Sequence, residues 1–205
     1  MGRIFAALYD KLSAKEERET VGPMRRELLS HARGRTLEIG AGTGPNLQHY
    51  PAGLDLVLTE PDVHMAKRMK VESVQARAED LPFPDASFDT VVSTLALCTV
   101  DDLAASLREV RRVLKPGGSL LFMEHVRGEE GSKLERWQDR LEPVWGFCAG
   151  GCHPNRDTLA AIRDAGFELG DVERPAWKVP PLVRPLVIGF ATRPAGVWPG
   201  SDPAT

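Results

Sequence analysis

The stretch that decides the fold is TLEIGAGTGPNL, residues 36–47. Its first half is an apolar run typical of a buried strand, and its second half is a glycine loop with Gly40, Gly42 and Gly44 at G-x-G-x-G spacing. Such loops commonly bind anions or nucleotides, because their backbone N–H groups approach the ligand closely. The sequence therefore predicts a ligand site directly after the first strand.

Further strand-like runs lie at 54–60, 88–97 and 117–126, and helical patterns separate them. The clearest helix is in DDLAASLREVRRVLKPGG, residues 101–118, where apolar residues recur three or four positions apart. We expect Asp101 or Asp102 to cap its start and the Pro-Gly-Gly sequence at 116–118 to end it. Strands that are apolar on both faces and alternate with helices form a parallel sheet covered on both sides. Near the C-terminus, FELGDVER and LVRPLVIGFATR favour two strands paired antiparallel.

Length and charge limit the classes of partner. The chain has 205 residues and a formal net charge of -3, which gives one domain without a broad basic field. We expect a small-molecule partner and no nucleic acid, and the sequence does not indicate an oligomeric state. We assign residues 1–193 to the domain, with 1–34 as an N-terminal helical cap and 194–205 as a disordered tail.

The start of the chain and the cysteines indicate the compartment. MGRIFAALYDKL is amphipathic and soon charged, so we expect neither a signal peptide nor a membrane anchor. The three cysteines are an odd number in a chain too long to need disulfides, which favours a reducing compartment. We therefore expect a cytoplasmic protein.

Two acidic residues narrow the nature of the ligand. Glu38 lies two positions before Gly40, and Glu60 ends the next strand-like run. A carboxylate at Glu60 can accept both ribose hydroxyls of a nucleoside, whereas one at Glu38 repels a pyrophosphate and attracts an amino group. A dinucleotide loop also needs a third glycine where Pro45 stands. The ligand implied is a nucleoside with a cationic amino-acid arm and no phosphates.

Four stretches in order resemble the class I S-adenosylmethionine-dependent methyltransferases: LEIGAGTG, LTEPDVHM, ARAEDLPFPDASFDTVVST and LREVRRVLKPGGSLLFMEH. We accordingly expect a single-domain, doubly wound α/β fold with a mostly parallel seven-stranded sheet, helices on both faces and an antiparallel C-terminal strand. The resemblance implies S-adenosyl-L-methionine as cofactor and S-adenosyl-L-homocysteine as product. Arg77 departs from many relatives, which carry an aspartate there.

The family's residue roles, transferred position by position, imply a set of cofactor contacts. They run from the methionine end through the ribose and adenine to the sulfonium, and the residues are Glu38, Gly40, Ala41, Gly42, Gly44, Glu60, Pro61, Met65, Ala78, Glu79, Thr94 and Leu95.

A finer resemblance concerns the methyl acceptor. TLALCTV, FMEHV, RLEPVWGFCAGGCHPNR and VRPLVIGFA are similar to the microsomal alkyl thiol methyltransferases of the methyltransferase-like 7 group and their bacterial relatives. This resemblance implies methyl transfer to the thiol sulfur of a small molecule. The cofactor motifs fit an O-, N- or C-methyltransferase of a small metabolite equally well, and a noncatalytic nucleoside-binding domain is a third interpretation.

His125 is the candidate catalytic residue, because loops at strand ends form the acceptor pocket and an imidazole can take a thiol proton or stabilise a thiolate. His153 and Arg156 are the alternative candidates for this role, and a purely structural hydrogen bond of His125 at the strand end is the other interpretation. The candidate substrate-pocket residues are Tyr9, Trp145, His153 and Arg156. We assign Trp137, on the same helical stripe as Trp145, to the core.

Cys148, Cys152 and His153 resemble part of a zinc site. No second C-x-x-C and no paired histidines supply the remaining ligands, so we expect no metal.

Overall fold

The structure is a computed structural model that describes residues 17–177 and 179–196. Tyr9, the first half of the expected cap and most of the expected tail lie outside this range. The described part forms one α/β unit in which helices cover both faces of a mostly parallel sheet. The expected fold class is therefore confirmed.

Six strands form the sheet in this part of the chain: β1 (Arg35–Ile39), β2 (Asp55–Leu58), β3 (Phe88–Thr94), β4 (Leu114–His125), β5 (Glu168–Glu173) and β6 (Leu186–Thr192). Their spatial order is β2-β1-β3-β4-β6-β5. Strands β1 to β4 pair in parallel, and β6 runs antiparallel to both β4 and β5. The carboxyl ends of β1 to β4 therefore meet at one edge of the sheet.

Within the described residues the sheet has six strands, one fewer than the seven expected. The missing strand is reduced to Val74, whose N–H donates to the Leu58 carbonyl at 2.8 Å and whose carbonyl accepts from the Glu60 N–H at 3.1 Å. Val71 and Val74 are 48% and 38% exposed. Because this segment buries so little apolar surface against β2, its pairing does not extend beyond one residue.

The helices are α1 (Gly22–Leu29), which continues a π-helical turn Glu17–Val21, then α2 (Val63–Ala66), α3 (Leu103–Val113), α4 (Lys133–Cys148) and α5 (Thr158–Asp164). Short 3₁₀ turns lie at Leu47–His49 and Pro181–Val183. No helix among the described residues is long and apolar enough to cross a membrane.

Alternating side chains of the central strands build two cores. Val91 of β3 joins the cluster under α3 and α5, whereas the next residue, Val92, packs with Leu28 and Leu29 of α1. Both cores are closed to solvent, and Val91, Val92 and Leu29 are all 0% exposed. This arrangement holds the sheet rigidly between its two layers.

Helix α3 follows the sequence prediction at its start. The Asp102 side chain accepts a hydrogen bond from the Ala105 N–H at 2.9 Å, which caps the helix. The helix ends at Val113 and β4 begins at once, three residues before the predicted strand. Leu114 pairs with Phe88, and a shift of register before the next pair absorbs the Lys115–Gly118 segment.

Helix α4 departs further from expectation. A proline in this stretch is expected to end or kink the helix, but Pro143 lies inside α4 and the helix continues to Cys148. Trp137 is 57% exposed and its assignment to the core is wrong. The buried residue of α4 is Gln138, whose amide oxygen accepts from the Gly128 N–H and whose amide nitrogen donates to three backbone carbonyls. Gln138 anchors neighbouring loops, and Trp145 at the other end of the helix packs against Cys98, Cys152 and Val183. Both contacts orient this helix.

Candidate active site

A cleft of about 1400 Å³ opens at the carboxyl ends of β1 to β4. Its volume exceeds the roughly 300–1,000 Å³ of an ordinary ligand pocket. The expected site residues that line it are Gly40, Ala41, Gly42, Glu60, Pro61, Met65, Ala78, Glu79, Thr94, Leu95, His125 and Trp145. Glu38, Gly44, His153 and Arg156 are not part of its lining.

Gly40 and Gly44, in the loop after β1, are required for different structural reasons. A Cβ on Gly40, where φ is +61°, would lie 2.7 Å from the Ala96 Cβ, so this glycine lets the turn after β3 approach the loop. A Cβ on Gly44, where φ is +83°, would lie 2.7 Å from both Leu47 and Met69. Gly44 therefore serves the packing behind the loop, which explains its place outside the cleft.

Glu60, two residues after the end of β2, presents a buried carboxylate to the cleft. One oxygen accepts the Gly42 N–H at 2.7 Å and the other accepts the Asp62 N–H at 2.8 Å. Only 5% of the residue is exposed, and burial raises the pKa of its carboxyl. Each oxygen retains a lone pair, so the group has the acceptors that a vicinal diol requires.

Glu38 lies behind the glycine loop in a closed hydrogen-bond network. Its two oxygens accept from Asn46 Nδ2 and from the Tyr50 hydroxyl, each at 2.8 Å. Burial raises the pKa of Glu38 to about 7, against the lowering effect of these two donors. Glu38 thus braces the loop from behind, and it carries its charge only near or above neutral pH.

Arg25 of α1 extends this network to the surface of the cleft. Its Nη1 donates to Asn46 Oδ1 at 2.8 Å and to Thr94 Oγ1 at 2.7 Å, and its Nε lies 3.1 Å from a Glu17 oxygen. Arg25 is only 3% exposed, yet it lines the cleft. Sequence reasoning missed both Arg25 and Asn46, because no motif marks a residue whose partners lie 21 and 69 positions away.

Arg77 and Glu79 form the rim at the far side of the cleft. Glu79 accepts the Asp101 N–H at 2.8 Å, and its carboxylate lies 3.3 Å from the Arg77 guanidinium. Arg77 also donates to the Asp101 carboxylate at 2.6 Å. The unusual arginine therefore joins the acidic residues of the rim and connects the ends of two loops.

The turn after β3 is held by Glu124, which is 0% exposed. Its carboxylate accepts three consecutive backbone N–H groups, from Ala96, Leu97 and Cys98, at 3.1 to 3.2 Å. Leu95, at the start of the turn, has a φ of +59°, a conformation that costs a non-glycine residue about 1–3 kcal/mol. The turn thus keeps a strained backbone at the edge of the cleft because a buried carboxylate stabilises it.

A wall of the same cleft is formed by Cys98, His125, Trp145, Cys152 and Val183, which we call the sulfur-lined wall. The two thiols lie 3.9 Å apart, and His125 Nδ1 lies 3.8 Å from Cys98 Sγ and 3.5 Å from Cys152 Sγ. The hydrogen bond between the thiols lowers the pKa of Cys152 and, with burial, raises the pKa of Cys98. Sequence reasoning missed Cys98, whose position just after a central strand was the available signal.

The other side of the His125 ring is enclosed. It stacks on Trp177 with a centroid distance of 5.6 Å and an interplanar angle of 25°. Its Nε2 is buried and makes no hydrogen bond to any described residue. The two sulfurs are therefore the polar neighbours of this imidazole within the described part of the chain.

His153 and Arg156 support the wall from outside the cleft. The His153 N–H donates to the Cys98 carbonyl at 2.7 Å, and its ring bonds to Glu142. Arg156 donates to the carbonyls of Leu97 and Val100 at 2.7 and 2.6 Å. Both residues thus fasten the turn that carries Cys98.

A doubly wound sheet with an antiparallel final strand pair, a glycine loop after β1 and a buried carboxylate after β2 fit the class I S-adenosylmethionine-dependent methyltransferases. Comparisons agree with this class. Residues 37–122 match the family described as "Methyltransferase domain". A solved Thermotoga maritima structure, described as an S-adenosylmethionine-dependent methyltransferase and "possible histamine N-methyltransferase", aligns with a TM-score of 0.65 at 26% identity over 94% of this chain and all of that chain.

Curated relatives identify the family more closely. The chain is 34% identical to thiol S-methyltransferase TMT1B of Rattus norvegicus, over 94% of this chain and 84% of the relative. It is 33% identical to thiol S-methyltransferase TMT1A of Homo sapiens, over 92% and 83%. The chain belongs to the methyltransferase family that includes TMT1A and TMT1B, and its cofactor is S-adenosylmethionine.

Proposed function

We propose that the protein transfers the methyl group of S-adenosylmethionine to the thiol sulfur of a small, apolar molecule. The observation that carries this proposal is the sulfur-lined wall, which faces the same cleft as the glycine loop. Its described side chains are thiols, imidazole, indole and an aliphatic residue, and they include no carboxylate to attract an amine. The names of the relatives support the same acceptor class.

The lining of the cleft supports one proposed orientation of the cofactor. The ribose hydroxyls bind Glu60, whose oxygens keep free lone pairs, and the adenine lies against Met65 and Ala78, which are buried apolar residues of the lining. The methionine carboxylate faces Arg25, the buried cation beside Thr94. This orientation directs the sulfonium methyl group toward Leu95 and the sulfur-lined wall.

The main task of the protein in this reaction is to align the reacting groups. Methyl transfer from a sulfonium is an in-line displacement, so the protein must hold nucleophile, methyl carbon and leaving sulfur in a row. A free alkyl thiol has a pKa near 8.5, so only a few per cent is thiolate at neutral pH. A group that favours the thiolate at the wall therefore raises the rate.

His125 is the proposed group for this purpose. It ends β4 inside the wall, which is where the acceptor sulfur must lie to face the methyl group. Direct proton transfer would use one of its ring nitrogens, yet Nδ1 is turned to the two cysteines and Nε2 is enclosed. Assistance through the sulfur cluster fits this geometry better than a direct contact between imidazole and acceptor.

We further propose a cytoplasmic location and a small molecule as the only substrate class besides the cofactor. The described cysteines are all free, and Cys98 and Cys152 are close without being bonded, which fits a reducing compartment.

The test is a screen that measures S-adenosylhomocysteine release with alkyl thiols, a phenol and a primary amine of similar apolar size. Turnover with thiols at least tenfold above the other acceptors is expected. Faster turnover with the phenol or amine would replace the thiol proposal by O- or N-methylation, and release with no acceptor in a broad panel would favour a noncatalytic binding domain.

A further inference from the structure

Three potential metal ligands meet in the sulfur-lined wall. Cys98 follows β3, His125 ends β4 and Cys152 lies after α4, so three separate segments bring their side chains to one point. Their ligand atoms all lie within 4.8 Å of one another. The third cysteine, Cys148, is exposed and is not part of the cluster.

The distances match the edges of a zinc coordination tetrahedron. Zinc binds sulfur at about 2.3 Å and imidazole nitrogen at about 2.0–2.1 Å, so tetrahedral ligands lie about 3.8 Å apart for two sulfurs and about 3.6 Å apart for sulfur and nitrogen. The cluster has 3.9 Å between its sulfurs and 3.5 and 3.8 Å from Nδ1 to each sulfur. Three corners are thus in position before any ion binds.

The donor types select the ion. Thiolates are soft ligands and imidazole is a borderline one, and this combination suits zinc, whereas magnesium and calcium require oxygen. A disulfide is a different arrangement, because bonded sulfurs lie about 2.05 Å apart. The cluster is also held in place before binding, since Glu124 fixes the Cys98 N–H and His153 fixes the Cys98 carbonyl.

We propose that Cys98, His125 and Cys152 bind a zinc ion whose fourth coordination position opens to the methyl-transfer cleft. All three residues line that cleft, so the free corner is reached from it. Three protein ligands and one open position are the pattern of a reactive zinc site, whereas purely structural zinc sites use four protein ligands.

This site deepens the proposed function, on which the next step rests. The acceptor thiol loses its proton to water as its sulfur takes the fourth position. The sulfur then uses an electron pair to form the bond to the methyl carbon, and the carbon–sulfonium bond breaks with its pair left on the S-adenosylhomocysteine sulfur. The product thioether carries no thiolate charge, so it is a poor ligand and departs.

The binding experiment uses the full chain, treated with a chelator under reducing conditions and titrated with Zn²⁺ against a chromophoric chelator. One equivalent per chain is expected. Cys98→Ser and Cys152→Ser should each weaken zinc binding more than about 100-fold, since second-shell changes alone cost 10- to 100-fold. Cys148→Ser is the matched control and should bind as the unmodified chain does.

Cobalt(II) reports the ligand set directly. The Co²⁺-loaded protein should show thiolate-to-cobalt charge transfer and the intense visible bands of tetrahedral coordination, and both should disappear in Cys98→Ser and Cys152→Ser. S-adenosylhomocysteine binding by each variant checks that the cofactor half is folded. No stoichiometric zinc on the unmodified chain, or full affinity in both serine variants, would overturn the proposal.

A third measurement separates this site from the proposed function. An alkyl thiol should shift the visible bands of the Co²⁺ protein in the absence of cofactor, whereas the matching alcohol should not. Zinc binding with no such shift overturns the acceptor-ligand step. Zinc binding together with a thiol-induced shift but no thiol methylation contradicts the proposed function and leaves the metal site standing.

Discussion

Replacing Glu60 with glutamine tests whether the ribose lies where the carboxylate indicates. Each oxygen of Glu60 already accepts one backbone N–H, from Gly42 at 2.7 Å and from Asp62 at 2.8 Å, and keeps one lone pair for a ribose hydroxyl. Glutamine preserves the volume and one acceptor oxygen, but its amide nitrogen cannot accept. The substitution therefore removes one of two hydrogen bonds to the ribose.

The size of the effect follows from this count. A hydrogen bond to a charged group contributes about 1.5–3 kcal/mol, and the loss of one should raise the Kd for the cofactor roughly 10- to 100-fold at 1.4 kcal/mol per factor of ten. The amide NH₂ also faces a backbone N–H of the loop. That conflict exists with and without cofactor, so it lowers the free energy of unfolding rather than the affinity.

Isothermal titration calorimetry with S-adenosylhomocysteine measures the difference. Glu72→Gln is the matched control, because Glu72 is an exposed carboxylate on the neighbouring loop. A 2′-deoxy analogue provides the second arm: it should bind the unmodified chain more weakly, and Glu60→Gln should lose less affinity for it than for the parent ligand. Equal Kd values for the two proteins would refute the reasoning and move the ribose elsewhere.

Four further outcomes are expected. Between pH about 4.5 and 7 the folded protein retains a proton on Glu38 that the unfolded chain has lost, so the free energy of unfolding falls as the pH rises through this window. Urea denaturation should show a weaker fall in Glu38→Gln. Glu124→Ala leaves three backbone N–H groups unpaired and should lower the free energy of unfolding by about 3 kcal/mol or more in the same assay. Gly40→Ala should abolish cofactor binding in calorimetry, because its methyl group meets Ala96. His125→Ala should reduce turnover of an alkyl thiol by up to about 100-fold and turnover of an acidic thiol much less, while the affinity for the cofactor stays unchanged. An equal loss of turnover for both thiols would mean that His125 has a structural role.

The donor half of the site was accessible from sequence because its signals are local. The strand, the glycine loop and the acid after the next strand lie within 25 residues, and each has a pattern set by backbone geometry or charge. The strand count was not accessible in the same way. The sequence around Val74 alternates apolar and polar residues, as an edge strand does. The pairing with β2 stops at Val74 because this segment buries little apolar area.

The opposite wall depends on contacts that no local pattern encodes. Cys98 and Cys152 are 54 positions apart, and His125 lies 27 positions from each. The pattern of α4 was misleading for a physical reason: Gln138 makes the buried contacts, so Trp137 on the apolar stripe remains outside. A polar residue that satisfies several backbone groups can override hydrophobic periodicity.

The residues proposed to bind the methyl donor and several residues that face the acceptor come from different parts of the chain. Every described cofactor contact proposed above precedes residue 102, whereas Trp145, Cys152 and Val183 come from the excursion between β4 and β6. Strand β6 returns to pair with β4 along Ser119–His125, and β5, which belongs to the excursion, pairs with the other side of β6. A chimaera that exchanges residues 126–184 between relatives would thus keep its methyl source while sampling new acceptors, which makes this segment the natural unit for recombination and directed evolution.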